Sequence, residues 1–227
     1  METTDESRRY KSLYRVAFWA SIAMLVVIPA QILVFAIVPL PSSVESWFAL
    51  FDSNLLAGLF HADLFILVDN VLIAVIYLAF YHLLKDRDRG LMQIALVLGL
   101  VGIAAYISSN RTFELLALAR GYGAAATEAE RSMHLAAGKA MLAGWQGTAF
   151  DAYYVLNGIT LLIISLLMFK APRFTKAMAA TGLAAAILMI VPSTAGKLGL
   201  AFSLVSLVPW YVFAIRFARV FREEGAR

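Results

Sequence analysis

The 227-residue sequence contains no cysteine. That excludes structural disulfides, thiolate zinc sites, iron–sulfur clusters and a cysteine nucleophile, and it leaves the redox compartment open. Charge is scarce as well. Charged residues make up 15% of the chain, against about 25% in ordinary soluble domains. Histidine occurs three times, at His61, His82 and His134, on separate segments and without an HxxxH or HxxE pair. Scattered histidines do not build a metal site. A haem would need an axial ligand in the core, and His61 alone lies near one. The chain also lacks a phosphate loop, a nucleophile elbow and a dinucleotide fingerprint. No cofactor and no metal are expected. There is no cleavable signal in the start METTDESRRYKSLYR, because the apolar run after it is too long for a signal-peptide core.

What the chain has instead is apolar length. It is 62% hydrophobic, with a mean hydropathy of +0.79. Divided into stretches of about 20 residues, it reads as an all-α, polytopic membrane helix bundle with six transmembrane helices and a small extracytoplasmic helical cap. The predicted spans are 16–38, 55–84, 91–108, 148–169, 177–191 and 198–217. Span one holds Pro29 and Gln31, which a membrane helix tolerates where neighbours satisfy the freed backbone. Trp47, Phe48 and Phe51 fall on one side of a short helix over 44–54, expected to lie in the membrane interface. The long segment 110–147 reads as two cap helices. The first is broken at Gly121 and Gly123, and the second begins at a capping box of Thr127 and Glu130. Gly99 and Gly102 predict close helix packing in span three. No internal repeat of the inverted-transporter kind is present.

Basic residues set the orientation. Arg8, Arg9, Lys11 and Arg15 precede span one; Lys85, Arg87 and Arg89 follow span two. Lys170, Arg173 and Lys176 follow span four, and Arg216, Arg219, Arg222 and Arg227 close the chain. These are fourteen of the nineteen Lys and Arg residues, all on one side. The positive-inside rule places both termini in the cytoplasm and the cap outside. A formal net charge of +4 is explained by this distribution, so the lipid bilayer is the expected partner and nucleic acid is not. The expected location is a bacterial inner membrane; nothing in the sequence fixes an oligomeric state.

Against this background the polar residues inside the spans stand out. An ionisable group at mid-membrane costs roughly 2.5–3.5 kcal/mol on insertion scales and normally faces the bundle interior or a water-filled cavity. Span two carries Asp63, Asp69 and Asn70. At 1.5 Å per residue, Asp69 sits roughly 15 Å below the outer end of the span, near the midplane. Span four carries Asp151, Tyr154 and Asn157, stepping by three and so lying in one arc. A polar cluster in the outer half of the bundle is expected from these six residues, with Arg111 and Glu114 above and His61 at the rim. Plainer roles compete for several of them. Asn70 and Asn157 also suit interhelical hydrogen bonds, and Arg111 with Glu114 suits a helix-surface ion pair.

Four stretches in order, WFALFDSNLLAGLFHADLFILVDN, ALVLGLVGIAAYISSNRTFELLALARGYGAAATEAER, GWQGTAFDAYYVLNGITLLIISLLMFK and PWYVFAIRFARVFR, resemble a bacterial six-span membrane family defined as a domain of unknown function, number four-three-eight-six. The resemblance covers about Leu13 to Phe221. It implies the six-span architecture and supplies no activity, so no catalytic residue carries over. Three functions remain open on the residues alone. The first is binding or sensing of a small lipophilic or amphipathic ligand in the polar cavity. The second is an intramembrane enzyme using Asp/Glu acid–base chemistry on a lipid or isoprenoid. The third is a small proton-coupled carrier built on Asp69.

Overall fold

The computed structural model describes residues 10–227, and every regular element among them is a helix. In chain order these are α1 (Lys11–Ile37), α2 (Val44–Ser53), α3 (Leu55–His61), α4 (Leu64–Leu84), α5 (Arg89–Ser109), α6 (Thr112–Ala124), α7 (Glu128–Trp145), α8 (Thr148–Met168), α9 (Lys176–Met189) and α10 (Gly196–Ala226). Arg8 and Arg9, used above for orientation, lie outside the described residues. Five stretches are long and apolar enough to cross a membrane: Lys11–Ile37, Leu64–Leu84, Arg89–Ala124, Glu128–Met168 and Gly196–Ala226. The stretch expected as a further span is α9, which is apolar but has 14 residues. Trp19, Val26, Val97, Val101, Leu204 and Val208 are all more than half exposed. So much outward apolar surface is what a membrane helix offers to lipid, and soluble monomers rarely show it.

Six helices form a closed ring in which the neighbours run α1–α4–α5–α8–α9–α10 and back to α1. Small residues set the closest approaches. A Cβ at Gly99 would stand 2.6 Å from the Tyr77 ring, and one at Gly102 would run into the Asn157 amide. These two glycines let α5 lie against α8, and the Thr160 hydroxyl of α8 donates to the Ala95 carbonyl of α5 at 2.9 Å. The kink-forming prolines leave carbonyls to be satisfied. Pro29 in α1 has no N–H for the Leu25 carbonyl, and the Tyr211 hydroxyl of α10 donates to that oxygen at 3.1 Å.

At the end opposite the cap the ring is filled by aromatic packing. Phe80 of α4 lies 5.9, 5.4 and 5.2 Å from the rings of Phe213, Phe217 and Phe221 of α10, with Phe174 at 6.5 Å. The two chain ends are tied together beside it. Lys11 and Arg15 donate to the carbonyls of Ala226 and Gly225, which places positive charge on the C-terminal end of α10, where the helix dipole favours it.

The cap differs in two respects from the expectation. The aromatic face of α2 is turned into protein. Trp47 and Phe51 pack with Leu115 and Trp145, and Phe48 meets Tyr122 at 5.5 Å. Burial expected from lipid is thus supplied by α6 and α7. The first cap helix also runs through Gly121 and Gly123 to Ala124. Gly121 does not break it, because the glycine is used for proximity: a Cβ there would meet the His134 ring of α7 at 2.5 Å. The second cap helix starts at Thr127, with the capping box to Glu130 formed in both directions.

Candidate functional site

The stretch expected as one helix over 55–84 is interrupted. α3 ends at His61 and α4 begins at Leu64. Between them Asp63 has φ 65° and ψ 27°. It is the non-glycine residue with positive φ among the described residues, and aspartate is one of the few side chains that tolerate that conformation. A helix break inside an apolar bundle exposes carbonyls that water cannot reach, so each needs a protein donor. Three elements supply them. Gln31 of α1 donates to the Phe60 carbonyl at 2.8 Å. Asn110, between α5 and α6, donates to the Ala62 carbonyl at 3.0 Å, and the Thr112 hydroxyl donates to the same oxygen. His61, fully buried, bonds the Val38 carbonyl through Nε2 at 2.9 Å, which makes Nε2 the protonated nitrogen.

Below this break lies a cavity of about 370 Å³. Asp63 and Asp69 line it, with Gln31 and Phe35 of α1, Tyr77 of α4, Tyr106 of α5, Phe150, Tyr153 and Tyr154 of α8, and Ser203, Ser206 and Trp210 of α10. Asp69 is 5% exposed, forms no ion pair, and has Oδ1 buried without a protein partner. The Tyr106 hydroxyl faces the Asp63 carboxyl without closing a hydrogen bond. Gln31 Oε1 and Ser203 Oγ are likewise buried and unpaired. No Lys, Arg or His is among the lining residues. The wall is otherwise aromatic and aliphatic; Tyr106 and Tyr153 lie 4.9 Å apart, and Phe150 and Tyr154 5.3 Å.

The structure thus brings Asp63, Asp69 and Tyr154 to one cavity. The remaining candidates sit elsewhere. Asn157 is buried behind the wall, accepting from the Tyr77 hydroxyl at 2.8 Å and donating to the Tyr153 carbonyl. Asn70 donates to the Ile66 carbonyl within its own helix. Asp151, at the first turn of α8, accepts from the Thr194 hydroxyl and clamps that turn to the loop between α9 and α10. Arg111 and Glu114 form a partly exposed ion pair at 3.7 Å. His61 packs against Phe35 and Trp47 above the break. α4 and α8 are not ring neighbours, so the space between them is completed by α1 and α10. Gln31, Tyr77, Tyr106, Tyr153, Ser203 and Trp210 are wall residues that pattern reading missed. Gln31 alone carried a signal, as the one amide side chain in an uncharged span.

Among the described residues, no three His, Asp or Glu side chains are grouped to hold a metal ion. Outside the spans, the Glu130 carboxylate accepts backbone N–H groups of Thr127 and Ala126, and these bonds hold it below the usual glutamate range. That group shapes the cap and does not reach the cavity.

No curated protein and no solved structure matches the chain. A family model does, over residues 21–221. The chain therefore belongs to the family described as "Domain of unknown function (DUF4386)".

Proposed function

We propose that the protein binds, and through binding senses, a small amphipathic ligand held in the outer cavity. One observation carries the reading: two carboxyl groups without basic partners, Asp63 and Asp69, face a largely apolar, aromatic space. Acids left unpaired at this depth are costly. A largely apolar pocket with a few convergent polar groups is the usual form of a ligand site. The absence of basic residues from the wall favours a ligand head that donates hydrogen bonds or carries positive charge, and the tyrosine and tryptophan faces suit a cation. The apolar wall takes the rest of the molecule.

The setting we propose is a bacterial inner membrane crossed six times, with both termini in the cytoplasm. α9 rises about 21 Å against a hydrocarbon core of roughly 30 Å, which local bilayer thinning accommodates. Lys11, Arg15, Lys85, Arg87, Lys170 and Arg173 all lie at the end opposite the cap, in keeping with the positive-inside rule.

A second reading draws on a different feature. Asp63 is held at positive φ beside the Tyr106 hydroxyl, and backbone strain of that kind concentrates at reacting sites. Acid–base chemistry on a lipid substrate is the activity it would serve.

The test is to purify the full chain in mild detergent and identify co-purified small molecules by mass spectrometry, for wild type and Asp69→Asn. A retained amphiphile that the variant loses supports the binding reading. Equal retention by both sinks it. A retained molecule that is converted over time, with conversion lost in Asp63→Asn, moves the assignment to the enzyme. Proton flux in liposomes abolished by Asp69→Asn would instead make the protein a carrier.

A further inference from the structure

At the end of the bundle opposite the cap, a second opening of about 410 Å³ lies between the start of α9 and the last third of α10. It is separate from the outer cavity and shares no residue with it. Its wall carries Arg173, Thr175, Met178, Arg216, Arg219 and Val220, and no acidic side chain. Arg216 and Arg219 are three apart on α10 and share a face. Arg216 is part-buried, and its Nη1 is fully buried with no protein partner, which leaves a cationic donor unsatisfied inside the protein. Arg173 pairs with Glu224 at 3.4 Å, but Glu224 is 1% exposed and already bridged by Arg227 at 2.6 Å. That carboxylate is occupied and does not answer the charge of Arg216 and Arg219.

The remaining wall fits the same chemistry. Thr175 caps α9 by accepting the Met178 N–H at 3.2 Å, so its own O–H is free to donate. The first amides of α9 add the positive end of a helix dipole. Met178 and Val220 give the opening an apolar side. Guanidinium groups match phosphate oxygens in a planar fork. Basic pockets between helices on the cytoplasmic side take lipid headgroups.

We propose that this opening binds the phosphate headgroup of an anionic lipid, with Arg216 and Arg219 on the phosphate, Thr175 donating to it, and Met178 and Val220 beside the first acyl carbons. The site does not depend on what occupies the outer cavity.

Native mass spectrometry of the full chain in detergent, titrated with phosphatidylglycerol, phosphatidylcholine or inorganic phosphate, tests this. Phosphatidylglycerol should bind more tightly than phosphatidylcholine, and free phosphate more weakly than phosphatidylglycerol. The double variant Arg216→Gln/Arg219→Gln should lose roughly twenty-five-fold in phosphatidylglycerol affinity, at about fivefold per arginine. Arg219→Gln alone, at an exposed position, should lose about fivefold and keeps the test readable if the double variant does not purify. Arg222→Gln removes the same charge outside the opening and should change nothing. Equal loss in Arg222→Gln would reduce the effect to diffuse attraction. Free phosphate binding as tightly as the lipid would make the occupant a soluble anion. Undiminished lipid affinity in the arginine variants would remove the site. Each of these three results overturns the proposal.

Discussion

The two ends of the ring are closed by opposite means. The end opposite the cap is packed: Phe80, Phe213, Phe217 and Phe221 fill the space with rings 5–6 Å apart, and Glu224 is bridged by two arginines. The half next to the cap is braced: Gln31, Asn110 and Thr112 reach across to hold the carbonyls of a broken helix, and beside the break there is a cavity. Aromatic packing leaves no room for a guest between the helices, and the opening at Arg216 and Arg219 lies on the flank of α9 and α10. Polar bracing holds walls apart and leaves side chains such as Asp69 without partners. One short bundle thus combines a packed end with a receptive one.

The largest effect should come from breaking the packed end. Phe217→Ala, at a fully buried position, is expected to cost about 3–5 kcal/mol through the cavity it leaves. The readout is a lower melting temperature in detergent, with ligand retention per folded molecule unchanged. Next is the seam shared by both halves. Gly99→Leu drives a side chain into the Tyr77 ring, and overpacking of that kind costs about 1–3 kcal/mol. Because Tyr77 also lines the cavity, retention should fall along with stability.

Bracing is tested by Asn110→Ala. It removes a donor from the buried Ala62 carbonyl, at about 1–3 kcal/mol for a group left unsatisfied, with Thr112 still bonded to limit the loss. Hydrogen exchange should rise around 60–66 and stay unchanged in α10. Asp69→Asn sharpens the contrast from the other side. It should leave the melting temperature level or raised, since an unpaired acid is removed, while ligand retention is lost. A melting temperature lowered as much as by Asn110→Ala would mean that Asp69 braces the fold.

The smallest effect is in the cap. Glu130 has its pKa held down by the Thr127 and Ala126 amides, so its contribution is fully present above the ordinary glutamate pKa. It is lost as pH falls through the lowered value of the folded state. Protection of the first turn of α7 should weaken only in acid. Glu130→Gln should remove that pH dependence, while Thr127→Ala should cost about 1 kcal/mol at any pH.

Element type was legible because lipid-compatible runs and their polar stops are local properties. The capping box at Thr127 and the packing glycines Gly99 and Gly102 were legible for the same reason: each is a short pattern with one physical use. Gly121 was misleading, since a glycine that ends a helix and one that admits a neighbour's ring look alike in sequence. The break at Ala62–Asp63 left no Gly or Pro to mark it. The donors that satisfy its carbonyls, Gln31, Asn110 and Thr112, are remote in the chain.

An all-helical chain rich in membrane-length apolar stretches, with acids placed where acids are expensive, is readable from the residues one segment at a time. Periodicity and hydropathy act within one segment, and no neighbour is needed to read them. Which polar residues meet depends on how the helices pack. Ring order put α1 and α10, rather than α8 alone, around Asp69. It turned Asn157 and Asn70 into backbone-bonded supports, and it moved Asp151 and the Arg111–Glu114 pair away from the cavity. A helix face says which direction a side chain points; only the packing of the other helices says what it finds there.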